Sequence, residues 1–249
     1  MEPSEYERMV HAESWHWWYL GMQAITRAIL NHFVSPASGL EILDAGCGTG
    51  AAMSTYLADY GNVTGFDVSP LALRFCRVRN LTPLALASVM EIPFQSRIFD
   101  LVTSFDVLYE RAVTSDVTAM AEFFRVLRSE GFLLLRLPAY DWLRGQHDIT
   151  IHTARRYTAS QVTQLLKNSG FRILHISYAN TFLFPLAVAK RLLERLWPPA
   201  PNSSDLSVDV GVFNGLFKQI LSSEAFLAAR IGLPFGLSII ALGQKPKSS

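Results

Sequence analysis

The chain has 249 residues, half of them hydrophobic, and its 22 basic and 21 acidic residues leave a net charge of +1. This length suits one α/β domain with insertions, and the near-neutral charge argues against DNA or RNA as a partner. Cys47 and Cys76 have neither metal-ligand spacing nor the number needed for a disulfide scaffold, so no metal site is expected. We expect a cytoplasmic protein, because the N-terminus is polar and no apolar run reaches roughly 18 residues.

The first 38 residues are predicted to form an N-terminal helical cap. Trp15, Trp17, Trp18 and Tyr19 precede apolar residues at helical spacing. A Ser-Pro-Ala-Ser-Gly break at 35–39 then separates this segment from the rest of the chain.

Strands and helices alternate after that break. Strands are predicted near 41–45, 63–67, 84–87, 99–105, 131–137, 171–178 and 237–242, and helices near 50–60, 70–79, 115–128 and 158–168. Short, almost entirely apolar strands that alternate with helices are typical of a parallel sheet covered on both faces.

About fifty residues before the last strand exceed what a minimal sheet needs. They contain helix patterns near 185–197 and 211–230, and the first is amphipathic and basic. Such a segment can be a substrate lid, a homodimer face or a peripheral membrane contact; we favour the first two. The single domain 1–249 therefore divides into a cap (1–38), a cofactor-binding core (39–180), a helical insertion (181–232) and a final strand with its tail (233–249).

The segment from Leu40 to Gly50, LEILDAGCGTG, is the most informative in the chain. An apolar strand enters a glycine-rich turn, and a helix pattern follows. Glycines allow a ligand to approach the backbone closely, and the helix N-terminus points its N–H groups at the same place. The next strand ends at Asp67, at about the distance of a ribose-binding acid in a βαβ unit. These features predict a pocket for a nucleoside-containing cofactor.

The glycine spacing narrows the choice of cofactor. Dinucleotide sites usually read G-x-G-x-x-G, and a Walker loop needs Gly-Lys-Ser/Thr, whereas this turn reads G-x-G-x-G. The turn and the following Gly-Phe-Asp-Val-Ser at 65–69 resemble the class I S-adenosylmethionine-dependent methyltransferases of the small-molecule type. Further segments at family-like distances extend the resemblance over residues 40–137: 91–94, 99–102, 104–110, 125–127 and 131–135.

The resemblance implies a Rossmann-like, seven-stranded, mostly parallel sheet with the last strand antiparallel and helices on both faces. It implies S-adenosylmethionine as the cofactor, with Asp67 on the ribose and Asp44 on the ammonium side. If the N-terminal helix caps the cofactor, Trp18 or Tyr19 would stack over the methionine end; the alternative is plain packing of that helix against the core. The expected cofactor-binding residues are Asp44, Gly46, Cys47, Gly48, Gly50, Asp67, Val68, Ser88, Met90, Glu91, Phe105 and Trp18. Ser88 stands where many relatives carry an acid for the adenine amino group.

Residues for the methyl acceptor are expected after the fifth strand, at the edge where open α/β sheets bind ligands. His147 is the first choice for a general base, although His147 and Asp148 could instead hold a loop together. A metal site at His147, Asp148 and His152 is disfavoured by its spacing. The expected acceptor-binding residues are Tyr109, Tyr140, Trp142, His152, Arg156 and Tyr157.

The sequence thus predicts a methyltransferase that acts on a small-molecule or lipid-like metabolite, at oxygen in the preferred interpretation. Transfer from a sulfonium is an SN2 displacement that depends mainly on alignment and proximity. The alternative is a non-catalytic S-adenosylmethionine-binding or membrane-associated module. A nicotinamide-dependent oxidoreductase is disfavoured by the glycine spacing.

Overall fold

The computed structural model describes residues 3–34, 39–145, 148, 152–196 and 211–247. Its strands are β1 (Leu40–Ala45), β2 (Gly61–Asp67), β3 (Leu84–Leu86), β4 (Phe99–Phe105), β5 (Leu127–Pro138), β6 (Arg172–Ala179) and β7 (Ser238–Gln244). The helices in these ranges are α1 (Pro3–Ala12), α2 (Trp17–Phe33), α3 (Ala51–Thr55), α4 (Pro70–Val78), α5 (Asp116–Val126), α6 (Ala159–Asn168), α7 (Phe184–Leu196), α8 (Asn214–Ser223) and α9 (Ala225–Arg230).

The seven strands form one sheet in the order β3-β2-β1-β4-β5-β7-β6. Strands β1 to β5 pair in parallel, and β7 is antiparallel to both of its neighbours, β5 and β6. The predicted Rossmann-like fold class, including the antiparallel last strand, is confirmed. Because β5 and β6 run in the same direction, their carboxyl ends lie at one edge of the sheet with those of β1, β2 and β4, where ligands of such sheets bind.

Helices cover both faces of the sheet, as β5 shows. Leu133 and Leu135 belong to a buried cluster with Phe123 of α5 and Val162 of α6. Leu134, on the opposite face, belongs to another cluster with Ile25 of α2. Successive strand side chains point to opposite faces, so a run of consecutive leucines is what a strand buried on both faces requires.

Two predicted helices are interrupted in the structure. The pattern over 50–60 gives only α3, followed by a 3-10 turn at Leu57–Asp59. The hydroxyls of Ser54 and Thr55 donate to backbone carbonyls one turn earlier, which is a contact that weakens and bends helices. The pattern over 211–230 is divided into α8 and α9 at Glu224, a fully buried carboxylate.

Other boundaries also differ from the predictions. The predicted helical cap is two helices, α1 and α2, joined by a turn, and β5 begins at Leu127 instead of residue 131. Trp197, predicted to end the helix over 185–197, lies outside the described residues. No helix in the described ranges is long and apolar enough to cross a membrane.

The N-terminal segment is held to the region between β1 and β3 and to α8. The Glu13 carboxylate accepts a hydrogen bond from the Thr49 hydroxyl and lies 2.5 Å from the Arg79 guanidinium. The Asn214 side chain of α8 accepts from the Trp17 N–H and donates to the Trp15 carbonyl, both at 2.9 Å. Residues that are 197 and 199 positions apart in the sequence therefore meet where α2 packs against α8.

Candidate active site

The glycine turn after β1 has a backbone that glycine alone adopts without strain. Gly46, Gly48 and Gly50 have φ values of 80°, 55° and 82°, in the left-handed region. A Cβ on Gly46 would lie 2.4 Å from Cγ2 of Val107. The N–H groups of Gly46 and Cys47 both donate to the Phe66 carbonyl at 2.9 Å, which fixes the turn against the end of β2.

Asp67 ends β2 beside this turn. One carboxylate oxygen accepts the N–H of Gly48 at 2.9 Å, and the other accepts the N–H of Ser69 at 2.8 Å. Burial raises the pKa of Asp67, whereas these two N–H groups act in the opposite direction. The side chain is thus held at one place between the turn and the start of α4.

Asp44 lies deeper. Its carboxylate is buried and accepts a hydrogen bond from the Thr103 hydroxyl at 2.8 Å. Burial raises the pKa of Asp44 to about 6, although Thr103 and the nearby Arg136 favour its charged form. Asp44 does not line the cavity at this edge of the sheet, so its contact with an ammonium group stays a prediction.

A cavity of about 660 Å³ lies at the carboxyl edge of the sheet. Its glycine-turn half is lined by Gly46, Gly48, Asp67, Val68 and Ser88. A second group of wall residues comes from the N-terminal helices, the end of β6 and the insertion, and we call it the roofed half: His16, Trp17, Asn180, Leu183, Leu186 and Phe217. Trp18 and Phe105, also predicted to bind the cofactor, line the cavity as well.

Five residues predicted to bind the cofactor are not at the cavity wall. Three belong to the turn: Asp44, Cys47 and Gly50. The Sγ of Cys47 is 3.9 Å from that of Cys76, and a Cβ on Gly50 would lie 2.4 Å from Leu81 Cδ1. The other two follow Ser88, which bridges to Glu91 in a tight turn. That turn packs Met90 against the core and exposes Glu91, while Ser88 and Val89 line the cavity.

Two of the six residues predicted for the acceptor, Tyr109 and Arg156, line the cavity. The other four, Tyr140, Trp142, His152 and Tyr157, are not wall residues. The Tyr157 hydroxyl is at hydrogen-bond distance from the Leu108 carbonyl, 3.2 Å, and from the Asp116 carboxylate, 3.0 Å. Tyr140 stacks on Tyr178 with ring centroids 5.3 Å apart. These two tyrosines hold the loop after β5 in place.

His147 lies outside the described residues. Its neighbour in the sequence, Asp148, lines the cavity and forms a buried ion pair with Arg156 at 2.8 and 3.0 Å. Burial alone would raise the pKa of Asp148, but Arg156 and the Gly145 N–H outweigh it and lower that pKa. Asp148 therefore remains a carboxylate across the physiological pH range.

Arg136 of β5 is a wall residue that sequence reasoning missed. Its guanidinium lies 2.6 Å from the Asp106 carboxylate, and it sits over the rings of Trp18 and Phe105 at 5.1 and 4.9 Å from their centroids. A single arginine within the otherwise apolar run Leu133–Leu137 was the available signal, because a buried strand rarely carries a charge without a partner.

Helix α1 and the segment after β4 add titratable groups to the wall. Tyr6 is in hydrogen-bond contact with Ser69, and burial raises the pKa of Tyr6 to about 12. Burial also raises the pKa of Glu110 to about 7, and the charge of Asp67 acts in the same direction. Glu110 is therefore a carboxyl group of the cavity wall whose pKa lies near neutral pH.

Comparison with known proteins identifies the protein family that this chain resembles. A model of the methyltransferase domain matches residues 43–135. The chain is 30% identical over 213 residues to the Bacillus subtilis protein "Putative 23S rRNA (guanine-N(1)-)-methyltransferase YxjB", which covers 76% of this chain and 71% of that protein. It is 26% identical over 140 residues to a "Probable S-adenosylmethionine-dependent methyltransferase" of Mycolicibacterium smegmatis, or 55% of this chain. The chain spans about half the length of the latter, 53%.

Among solved structures, a chain from the "Complex between the Haloferax volcanii Trm112 methyltransferase activator and the putative methyltransferase" superposes with a TM-score of 0.64. The match covers 99% of this chain and 96% of that chain at 16% sequence identity. At this level of identity the match concerns the fold alone.

Proposed function

Because the chain belongs to the class I S-adenosylmethionine-dependent methyltransferase family, we propose that it transfers a methyl group from that cofactor to a small, largely apolar acceptor. The proposed methylated atom is oxygen. The observation that carries the proposal is the continuity of one cavity from the glycine turn to the aromatic and aliphatic wall under the N-terminal helices and the insertion.

The residues at the glycine turn fit S-adenosylmethionine, which supplies a methyl group already activated on a sulfonium. The left-handed turn is packed too closely for a side chain at Gly46, where a Cβ would collide with Val107, and Gly46 and Gly48 expose backbone at the cavity wall. Asp67 offers a buried carboxylate at the cavity wall. A carboxylate is a strong hydrogen-bond acceptor and therefore suits ribose hydroxyls. We propose that Gly46 and Gly48 contact the methionine part and Asp67 the ribose.

The roofed half of the cavity supports a small acceptor. The rings of Trp17 and Phe217 meet edge to face at 5.6 Å and join the N-terminal helices to the insertion. Leu183 and Leu186 add an aliphatic wall. A volume of about 660 Å³ lies within the range of small-ligand pockets, and these walls favour an acceptor with an apolar body.

Methylation at a hydroxyl needs a base if the hydroxyl keeps its proton at neutral pH. We propose His147 for this role, because Asp148 beside it in the sequence lines the cavity. His147→Ala should then lower kcat while the calorimetric affinity for S-adenosylmethionine stays constant. If Glu110 is the base instead, Glu110→Gln will lower kcat and remove the limb of the pH profile near 7, and His147→Ala will not.

The experiment that tests the proposed function uses S-adenosylmethionine with a labelled methyl group. The protein is incubated with the small-molecule fraction and, separately, with the RNA fraction of a bacterial extract. We expect label in a small-molecule product and none in RNA, with Asp67→Ala as the inactive control. Label in RNA would contradict the proposal and favour an activity like the one named for the Bacillus subtilis relative. Cofactor binding without transfer to either fraction would support a non-catalytic module.

The insertion, residues 181–232, carries exposed apolar side chains: Phe182, Leu186, Leu192, Leu193, Val212, Phe213, Leu216, Phe226 and Ile231. We propose that it acts as a lid over the acceptor or as a homodimer face in a cytoplasmic protein. Sedimentation velocity distinguishes a monomer from a dimer. Flotation with anionic vesicles tests the remaining alternative, a peripheral membrane contact.

A further inference from the structure

Two buried side chains of the roofed half have polar atoms without a partner among the described residues. They are Nε2 of His16 and both amide atoms of Asn180, and the two residues are 3% and 1% exposed. Both line the cavity. A buried polar atom without a hydrogen-bond partner destabilises the folded state, so folding alone gives no reason to keep these groups unpaired.

We propose that the unpaired atoms of His16 and Asn180 face the same part of the cavity and form a polar subsite there. This subsite would bind an uncharged oxygen group, a hydroxyl or a carbonyl, on an otherwise apolar acceptor. This inference rests on the proposed function, because it assigns the part of the cavity that the acceptor would occupy. It adds the chemical group by which the acceptor would be recognised.

His16 serves the subsite as a hydrogen-bond donor. It is the N-cap residue of α2, and its Nδ1 accepts the N–H of Trp18 at 3.3 Å. A neutral imidazole with Nδ1 as acceptor carries its proton on Nε2. Burial lowers the pKa of His16, so the ring is neutral at pH 7. The N-cap role explains one ring nitrogen and leaves the Nε2–H for a ligand.

Asn180 follows β6 in a left-handed conformation with φ of 60°. The buried Glu224 carboxylate holds the backbone beyond it by accepting the N–H groups of Thr181 at 3.0 Å and Phe182 at 2.6 Å. Asparagine tolerates this conformation, but glycine would adopt it at least as easily. The left-handed backbone therefore does not require an asparagine at position 180, and the side-chain amide has no structural role in it.

The subsite matches an uncharged ligand group. His16 offers one donor, and the Asn180 amide offers donors and an acceptor, which together suit a hydroxyl or carbonyl oxygen. The cations that line the cavity in the described ranges already have carboxylate partners. These pairs are Arg136 with Asp106, Arg156 with Asp148, and Lys190 and Arg191 with Glu194. Around His16, the rings of Trp15 and Trp17 lie 5.7 and 5.5 Å away.

The test compares two probes that differ by one group, 1-naphthol and 1-methylnaphthalene. Binding of each is measured by equilibrium dialysis in the presence of S-adenosylhomocysteine. We expect the wild type to bind 1-naphthol about tenfold more tightly, the ratio for one satisfied buried hydrogen bond. A second pair, 4-hydroxybiphenyl and 4-methylbiphenyl, repeats the comparison with a longer apolar body.

Two variants remove the polar groups while keeping the local structure. Asn180→Gly deletes the amide and adopts the left-handed backbone, and His16→Asn keeps an N-cap acceptor but removes the Nε2–H. Each should reduce the preference for the hydroxylated probe to about threefold or less, with the methylated probe bound as before. The matched control is Asn80→Gly, because Asn80 is exposed, has φ of 57° and is not a wall residue.

A histidine-labelled sample gives a readout independent of affinity. The proton resonance of His16 Nε2 should shift when 1-naphthol is added and stay in place with 1-methylnaphthalene. The subsite is refuted if the wild type shows no preference within either probe pair, or if both variants keep the preference. Calorimetry with S-adenosylhomocysteine reports separately on the proposed function: failure of the wild type to bind it would remove that function, whatever the probes show.

Discussion

The two halves of the cavity are built in different ways. The glycine-turn half depends mainly on the backbone of the turn and on the Asp67 carboxylate, and all its wall residues lie between Gly46 and Ser88. The roofed half brings together side chains that are far apart in the sequence, including His16, Asn180 and Phe217. The first construction fits a ligand that is the same throughout a family, whereas the second can change its ligand by changing single side chains. The two halves should therefore respond separately to substitution.

Asp67→Ala should have the largest effect. It removes the carboxylate assigned to the ribose and leaves the N–H groups of Gly48 and Ser69 without their acceptor. We expect the calorimetric affinity for S-adenosylmethionine to fall at least about 100-fold. Asp59→Ala, at an exposed ion pair with Arg27, is the control and should change little. An unchanged affinity in Asp67→Ala would contradict the proposal that the glycine-turn half binds the cofactor.

Arg136→Met tests the ion pair in the cavity wall. It leaves the largely buried Asp106 carboxylate without its cation, so urea denaturation should show a loss of about 3 kcal/mol in the free energy of unfolding. The double variant Arg136→Met/Asp106→Asn should recover most of this loss, because no uncompensated charge remains. Arg128→Met, at the more exposed pair with Asp100, should cost less than about 1 kcal/mol. Equal losses at the two sites would show that burial is not the cause.

Gly46→Ala sharpens the comparison because it changes backbone space in the glycine-turn half alone. The new Cβ would lie 2.4 Å from Val107 at a φ of 80°, and we expect the affinity for S-adenosylmethionine to fall about 30-fold. Adding Val107→Ala should restore part of it by removing the collision. The control is Gly215→Ala, where a Cβ meets nothing within 4 Å. Naphthol binding in the roofed half should persist in Gly46→Ala; its loss would show that the halves are not separable.

Asp44→Asn should have the smallest effect, and it is a gain. The pKa of Asp44 is raised from 3.8 to about 6 in the folded protein, so the folded state binds the proton more tightly. Its charge therefore destabilises the fold increasingly as pH rises from about 4 to about 6, and constantly above that. The shift of about 2 pKa units corresponds to at most about 3 kcal/mol. Because asparagine places an NH2 group at this buried site in exchange for a carboxylate oxygen, we expect a net gain of about 1–2 kcal/mol at pH 8, which decreases as the pH falls towards 4. Thermal denaturation at both pH values measures this, and a loss of stability at pH 8 would contradict it.

The glycine-turn half could be predicted because its signals are local. A strand, a glycine turn and a second strand ending at Asp67 follow one another closely, and the alternation of strands with helices predicts a parallel sheet covered on both faces. Met90 and Glu91 show where a local signal ends. They lie two and three residues after Ser88, but a tight turn directs Met90 to the core and Glu91 to solvent.

The roofed half could not be assembled from the sequence, because its residues meet only through the tertiary fold. Tyr140 and Tyr157 lie after β5, as ligand-binding residues often do, yet packing and hydrogen bonds within the loop occupy them. Arg136 was hidden within an apolar strand. Asn180 could be recognised as a candidate ligand-binding residue only from its left-handed backbone and its unpaired amide, which the sequence does not show.

The most direct test of the two-part cavity is a crystal structure of the chain with S-adenosylhomocysteine. We predict the ribose hydroxyls at Asp67 and the amino-acid part against Gly46 and Gly48, with His16 and Asn180 left facing the remaining space. A ligand that occupies the roofed half and contacts His16 or Asn180, or one whose ribose lies away from Asp67, would contradict the account.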